Sequence, residues 1–201
     1  MAASDEERRL IEQSRQGDQG AFDALVRRYE KQLYNTAYRL TGSYDDASDL
    51  AQEAFVRAWN NLRSFRGDAS FSTWLYRIVT NVFLDERKRR RARPQRSLEE
   101  ALGSDENTVT RQFEDAGPTP QDRVEERERW QILQKAIAEL PAPQRVMVVL
   151  YHTENRSYEE IAQIMGLPMG TVKSRLNRAR LALKNKLAPV AELFLPARSP
   201  K

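Results

Sequence analysis

Residues 157–186, SYEEIAQIMGLPMGTVKSRLNRARLALKNK, constrain the chain more than any other stretch. Ser157 and Glu160 have capping-box spacing, in which each side chain satisfies an orphan backbone donor at a helix start. Ile161, Ala162, Ile164 and Met165 supply an apolar stripe. Gly166 then fits a left-handed terminator, and Pro168 stops the helix from continuing. Beyond the turn, Val172, Leu176, Ala179 and Leu183 recur at helical spacing, so one face of a second helix packs inward. The opposite face carries Lys173, Ser174, Asn177 and Arg178, with Arg175, Arg180, Lys184 and Lys186 on its flanks. Such side chains hydrogen-bond base edges in a major groove and hold phosphates beside it. Charge alone fits a solvated face on a helical hairpin equally well. Cap, short turn and basic second helix together fit a helix-turn-helix, which places its second helix in the groove.

Composition narrows the alternatives. The 201 residues suffice for one large or two small domains, and a formal charge of +4 permits nucleic-acid binding without demanding it. The sequence contains no cysteine, which excludes disulfides and thiolate metal sites and makes a reducing, cytoplasmic setting the expected one. The single histidine, His152, lies beside Tyr151 at a helix end and gives a zinc site or a Ser-His-Asp hydrolase little to build on. No metal or cofactor is expected. No apolar run approaches the ~20 residues that span a bilayer, so no membrane insertion is expected. The opening MAASDEERRL is too acidic and polar for a signal peptide.

No alternating strand pattern or internal repeat is evident, and the chain reads as all-α. A first helix opens near Ser4 and Glu7 and stops near Gly17. A long one follows from Asp18 to about Gly42, with Phe22, Leu25, Val26, Tyr29, Leu33, Ala37 and Leu40 as its stripe. A third carries Ala47, Leu50, Ala51, Ala54, Phe55, Ala58, Trp59 and Leu62. After a loop around Gly67, a fourth starts at Phe71, with Leu75, Ile78, Val79 and Val82 inward and Thr73, Arg77, Thr80, Asn81 and Leu84 off the stripe. It ends in the basic run DERKRRRARPQR. From Pro94 to about Arg123 periodicity is lost, and acidic residues outnumber basic ones. This reads as a flexible acidic linker that relaxes to ~30 Å but extends to ~100 Å, enough to grip sites more than one ~35 Å DNA turn apart. The second lobe opens with a helix bearing Trp130, Leu133, Ile137 and Leu140, and another runs from about Pro143 into the helix-turn-helix. The tail AELFLPARSPK either packs on this lobe or docks a partner.

Both lobes together resemble the bacterial sigma-70 family, in particular the compact extracytoplasmic-function (ECF, group IV) sigma factors that retain only regions two and four. YDDASDLAQEAFVRAWNNL looks like the family's polymerase-binding helix, FRGDASFSTWLYRIVTNVFLDERKRR like its minus-ten reading segment, and LPAPQRVMVVLYHTENRSYEEIAQIMGLPMGTVKSRLNRAR like region four. The resemblance implies a sigma region 2 domain over 1–93, a linker over 94–124, a region 4 helix-turn-helix domain over 125–188 and a tail over 189–201. It implies a factor that binds core RNA polymerase, recognises −10 and −35 promoter elements and promotes DNA melting, with no chemistry of its own. The alternative is a stand-alone helix-turn-helix transcriptional regulator, which leaves the first lobe without a task.

Each segment also has a residue-level expectation. Asp49, Gln52, Glu53, Arg57 and Trp59 join carboxylates, an amide and an aromatic, a composition suited to a basic and apolar partner. The resemblance makes that partner the beta-prime clamp helices, with the beta flap as a further polymerase contact. For the −10 element it implies the loop and helix residues Arg66, Gly67, Asp68, Ser70, Phe71, Thr73, Trp74, Arg77 and Asn81, with Arg87 and Lys88 on phosphates. Unpaired bases are commonly held by stacking surfaces, amides and cations. The basic run Arg87 to Arg91 reads either as a phosphate contact or as a solvated helix end. For the −35 element the residues are Thr171, Lys173, Ser174, Arg175, Asn177 and Arg178. Family members are often held inactive by anti-sigma proteins, which adds an anti-sigma factor to the candidate partners.

Overall fold

The computed structural model describes residues 5–92 and 120–194, with backbone alone for 120–126. Every regular element among these residues is helical: α1 (Asp5–Arg15), α2 (Gln19–Thr41), α3 (Tyr44–Asn61), a 3-10 turn (Leu62–Ser64), α4 (Phe71–Ala92), α5 (Pro120–Ala138), α6 (Ala142–His152), α7 (Tyr158–Met165), α8 (Met169–Leu187) and a closing 3-10 segment (Ala188–Phe194). No described helix is long and apolar enough to cross a membrane.

The boundaries follow local chemistry. Asp18 caps α2 by accepting from the Ala21 N–H, and Ser43 caps α3 through Asp46. Gly42 ends α2 with φ 79°, a left-handed conformation that glycine adopts without a Cβ penalty. The helix-turn-helix forms as its spacing predicts. Ser157 Oγ accepts from the Glu160 N–H at 3.1 Å while Glu160 Oε2 accepts from the Ser157 N–H at 2.9 Å, and Gly166 closes α7 in the left-handed region. Helix α5 begins at Pro120, a turn before the expected boundary, because proline is well accommodated at a first helical position. The expected linker residues before it, the Ser4 cap and the chain end beyond Phe194 lie outside the described residues.

In the first lobe α2 packs between α1 and α3, and α4 lies across α2 and α3. Leu25, Leu33, Leu40, Leu50, Leu62, Leu75 and Val79 fill the space between them. In the second, α6, α7 and α8 enclose Val146, Met147, Leu150, Ile161, Ile164, Val172 and Leu176. The two lobes touch: α7 and α6 pack on α4, and α6 and α5 reach α2. The buried side chains therefore form one continuous cluster.

That contact corrects the reading of α4. Thr73, Tyr76, Thr80 and Phe83, at helical spacing, are buried as a second stripe beside Leu75, Val79 and Val82. Tyr76 and Phe83 on it meet Glu154 and Arg145 of the second lobe. Trp130 on α5 is 41 % exposed, with the Arg39 guanidinium 5.9 Å from its ring centre. The final 3-10 segment packs along α8 yet leaves Leu193 and Phe194 exposed.

Candidate nucleic-acid interfaces

The loop before α4 and the first three turns of that helix enclose an open cavity of about 640 Å³. Of the expected −10 residues, Arg66, Gly67, Asp68, Thr73, Trp74, Arg77 and Asn81 line it. Gly67 turns the loop at φ 80°, which only glycine tolerates readily. Ser70 fixes the helix start: its Oγ accepts from the Thr73 N–H at 3.1 Å and lies 2.8 Å from Thr73 Oγ1. Phe65, Phe71 and Trp74 form an aromatic cluster with ring centres 5.2–5.7 Å apart, so Trp74 is braced as one wall. Phe71 itself is 2 % exposed. It supports the site from beneath and offers no surface to a ligand. Arg77 and Asn81, one turn apart, stay exposed at the rim.

Among the lining residues that the sequence reading did not assign to this site, three polar ones come from α3 and α7. Asn61 and Arg57 reach it from the end of α3, and Gln163 reaches it from α7 in the other lobe. Arg57 was expected to face a protein partner, and it also borders the cavity. Its Nε donates to Glu53 Oε1 at 2.7 Å, and Nη1 stands 3.6 Å from Asp85 Oδ2. The cavity thus offers guanidinium, amide, hydroxyl and indole groups in one concavity, chemistry suited to an unpaired base and its phosphates.

Beyond the cavity α4 ends in its basic run. Lys88, Arg89 and Arg91 are exposed, and Arg87 is half-buried over the Phe83 ring at 5.4 Å. Arg90 differs: it bridges Asp46 at 3.0 Å and Glu86, and its pKa is held above the usual range by the Asp46 hydrogen bond first. Its charge is already compensated inside the lobe.

Asp49, Gln52 and Glu53 project from the outer face of α3. Trp59 is half-buried, with its ring 5.0 Å from that of Phe22, so only part of it reaches the surface. Val56 completes this face at 50 % exposure. Its position four residues after Gln52, off the buried stripe, was the signal available in the sequence.

On α8, Lys173, Ser174, Asn177 and Arg178 are all exposed while Val172, Leu176 and Ala179 are buried, as the periodicity requires. Thr171 and Arg175 are half-buried at the edges. Thr171 accepts from Ser174 Oγ through its carbonyl at 3.0 Å, and Lys173 Nζ sits 5.7 Å from the Tyr158 ring centre. Two expected flanking cations have internal partners. Arg180 donates through Nε to His152 Nε2 at 3.1 Å and stacks 4.6 Å from the Tyr151 ring, and Lys186 pairs with Glu139 at 2.5 Å. Burial, then the Arg180 charge, holds the His152 pKa below its ordinary value.

These features coincide with two family matches. Residues 25–93 match sigma-70 region 2, and residues 130–183 match sigma-70 region 4. The chain belongs to the sigma-70 family of transcription initiation factors. Its branch is that of the ECF sigma factors. The ECF RNA polymerase sigma factor SigW of Bacillus subtilis is 39 % identical over 181 residues, covering 90 % of this chain and 96 % of the relative. The ECF RNA polymerase sigma-E factor of Escherichia coli is 38 % identical over 186 residues, covering 90 % and 94 %. Among solved structures, CnrH in complex with the cytosolic domain of CnrY aligns with a TM-score of 0.63 at 27 % identity, over 92 % of this chain and 99 % of that one. The sigma factor RpoE of Bartonella quintana, in complex with the anti-sigma factor NepR, aligns at 0.59 and 29 % identity, over 83 % and 96 %.

Proposed function

We propose that the chain is a dissociable specificity subunit of core RNA polymerase that reads a promoter at two points. The outer face of α3, with Asp49, Gln52, Glu53, Val56 and part of Trp59, docks the clamp helices of the polymerase. The cavity under Arg66, Trp74, Arg77 and Asn81 captures unpaired −10 bases, and Lys88, Arg89 and Arg91 hold the adjoining phosphates. The exposed face of α8 reads the −35 duplex, where Lys173 and Arg178 bind phosphate or guanine edges and Ser174 and Asn177 contact neighbouring bases. The single observation that carries the reading is one cavity joining stacking, amide and cationic groups in a chain that also holds a helix-turn-helix with an exposed basic face.

Opening follows from binding. Extracting a base from duplex costs a few kcal/mol, and a pocket that holds the extruded base offsets that cost. The protein then contributes no bond-making chemistry and sits in the cytoplasm with its polymerase. An anti-sigma factor covering these surfaces would silence it, and the similar RpoE of Bartonella quintana is found in complex with the anti-sigma factor NepR. A stand-alone operator-binding regulator would leave the cavity and the α3 face without a task.

Reconstitution with core polymerase on a promoter library tests the reading. Lys173→Ala or Arg178→Ala is expected to weaken use of the upstream element with core binding intact. Asp49→Ala with Glu53→Ala is expected to weaken core association without changing the preferred sequence. Tight operator binding by the free chain, with no specific initiation by the reconstituted enzyme, would overturn it.

A further inference from the structure

Helix α1 takes no part in the promoter reading above, yet it buries a carboxylate. Glu7, in its first turn, is only 7 % exposed. A buried charge is costly unless hydrogen-bonding groups satisfy it. The Tyr29 hydroxyl of α2 donates to Glu7 Oε1. Burial first, then the hydrogen bond and charge of Glu7, holds the Tyr29 pKa above its ordinary value, so the hydroxyl stays a donor.

The ring of Tyr29 leads from this bond to the cavity. Its centre lies 5.4 Å from that of Phe71, with the two planes tilted by 52°. Phe71 is the ring beneath the cavity, 5.5 Å from Trp74 and 5.7 Å from Phe65, and both of those line the wall. The Tyr29 hydroxyl stands at the far end of its ring, so anchoring it fixes where the ring axis points. Helix α1 also touches the 3-10 turn Leu62–Ser64, where the Phe65 N–H donates to the Leu62 carbonyl at 3.1 Å. The loop that shapes the cavity is therefore braced by α1 at both ends, at its entry through the 3-10 turn and at its exit through Tyr29 and Phe71.

We propose that Glu7 is a positioning residue for the base site: through the Tyr29 hydroxyl it aligns the Tyr29–Phe71–Trp74 stack and so sets the wall against which an unpaired base packs. The ligand of that wall rests on the promoter reading above, whereas the positioning of Trp74 does not. Close-packed side chains transmit a displacement instead of absorbing it. Without the Glu7 anchor the Tyr29 ring axis swings, Phe71 follows, and Trp74 leaves the plane that a stacked base requires. The exposed cations at the far end of α4 keep their places, so phosphate binding persists while the contribution of the base is lost.

The test pairs a spectroscopic reading of Trp74 with DNA binding. The full chain is labelled with 5-fluorotryptophan, and the Trp74 signal is identified by its loss in Trp74→Phe. Glu7→Leu removes the acceptor but keeps the bulk, and Tyr29→Phe removes the donor but keeps the ring. Each is expected to shift or broaden the Trp74 fluorine signal while that of Trp130, in the other lobe, stays in place. The DNA probe is the single-stranded −10 sequence that the wild-type holoenzyme selects from the promoter library, with a companion set lacking one base at a time. Core-bound Glu7→Leu and Tyr29→Phe chains are each expected to bind the intact strand about fivefold more weakly, the lower end of what one base–aromatic stack contributes. The strand lacking the base that matters most to wild type is expected to bind all of them alike, which a loosened fold would not give. Glu7→Gln, whose carbonyl still accepts from Tyr29, restores both the signal and the affinity, and the double variant Glu7→Leu with Tyr29→Phe loses no more than either single one, because they share one bond. A Trp74 signal unmoved in both single variants, or equal losses on the intact and base-lacking strands, would overturn the positioning role. If the wild-type holoenzyme gains nothing from any single base, the promoter reading fails instead, and the fluorine signal with its rescue by Glu7→Gln still decides whether Glu7 sets the Trp74 wall.

Discussion

Arg180 and His152 form a pH-sensitive contact in the second lobe. The imidazole accepts the Arg180 Nε–H, so it must be neutral at that nitrogen, and Tyr151 stacks on the same guanidinium. A proton on His152 would put two cations face to face. Burial first, and then this repulsion, depresses the folded pKa below the unfolded value of ~6.5. With a depressed folded pKa the unfolded chain takes up the proton first, so this contribution is complete above pH ~6.5 and is lost as the pH falls below it. Urea unfolding between pH 7.5 and 5.5 is expected to give wild type a steeper loss of stability than His152→Gln, whose carbonyl still accepts from Arg180. Parallel curves would remove the assigned role. The same pairing gives Arg180 an internal partner that neither residue reveals in the sequence, since they stand 28 positions apart.

At the scale of elements, what the sequence disclosed was whatever acts within about one helical turn. The helix starts at Asp18 and Ser157, the stops at Gly42 and Gly166, and the alternating buried and exposed faces of α8 depend on residues three or four apart, and all form as their spacing predicts. The cavity before α4 was largely legible for the same reason, because most of its wall is a continuous loop-helix segment. Gln163 was not, and neither was the second buried stripe of α4, because their partners arrive from the other lobe. Arg145 is the clearest case. No local signal marks it, yet it is buried and donates to the Leu40, Ala138 and Leu140 carbonyls, at or just beyond the ends of α2 and α5. Of the local signals, the α7 capping box is the most quantifiable. Ser157→Ala is expected to cost about 1 kcal/mol, and Ser157→Gly only a few tenths, because glycine leaves the N-terminal donors open to water. Equal urea midpoints for Ser157→Ala and wild type would mean that α7 is held by packing alone.

For the whole molecule, the decisive quantity is the coupling between lobes. Arg145 sits at the junction, with its guanidinium 2.7 Å from the Leu40 carbonyl of the first lobe and 5.6 Å from the Phe83 ring centre. Burial, then Arg87, pushes its pKa down to about 10, so it stays charged through neutral pH and each carbonyl keeps a cationic donor. Hydrogen bonds to a charged group contribute ~1.5–3 kcal/mol each, and domains of this size are stable by only ~5–10 kcal/mol. Only the bond to Leu40 crosses between the lobes, and together with the Phe83 contact it favours their unfolding together. Tryptophan positions allow a direct check: Trp59 and Trp74 report on the first lobe, while Trp130→Phe silences the second. In this background, urea unfolding followed by fluorescence and by far-UV circular dichroism is expected to give coincident curves. Arg145→Ala strips several carbonyls of their donor at once, and the two curves are then expected to separate as each lobe melts at its own midpoint. Separate curves already in the Arg145-containing chain would mean that the lobes fold independently, and that their contact is too weak to govern when the promoter-reading surfaces are exposed.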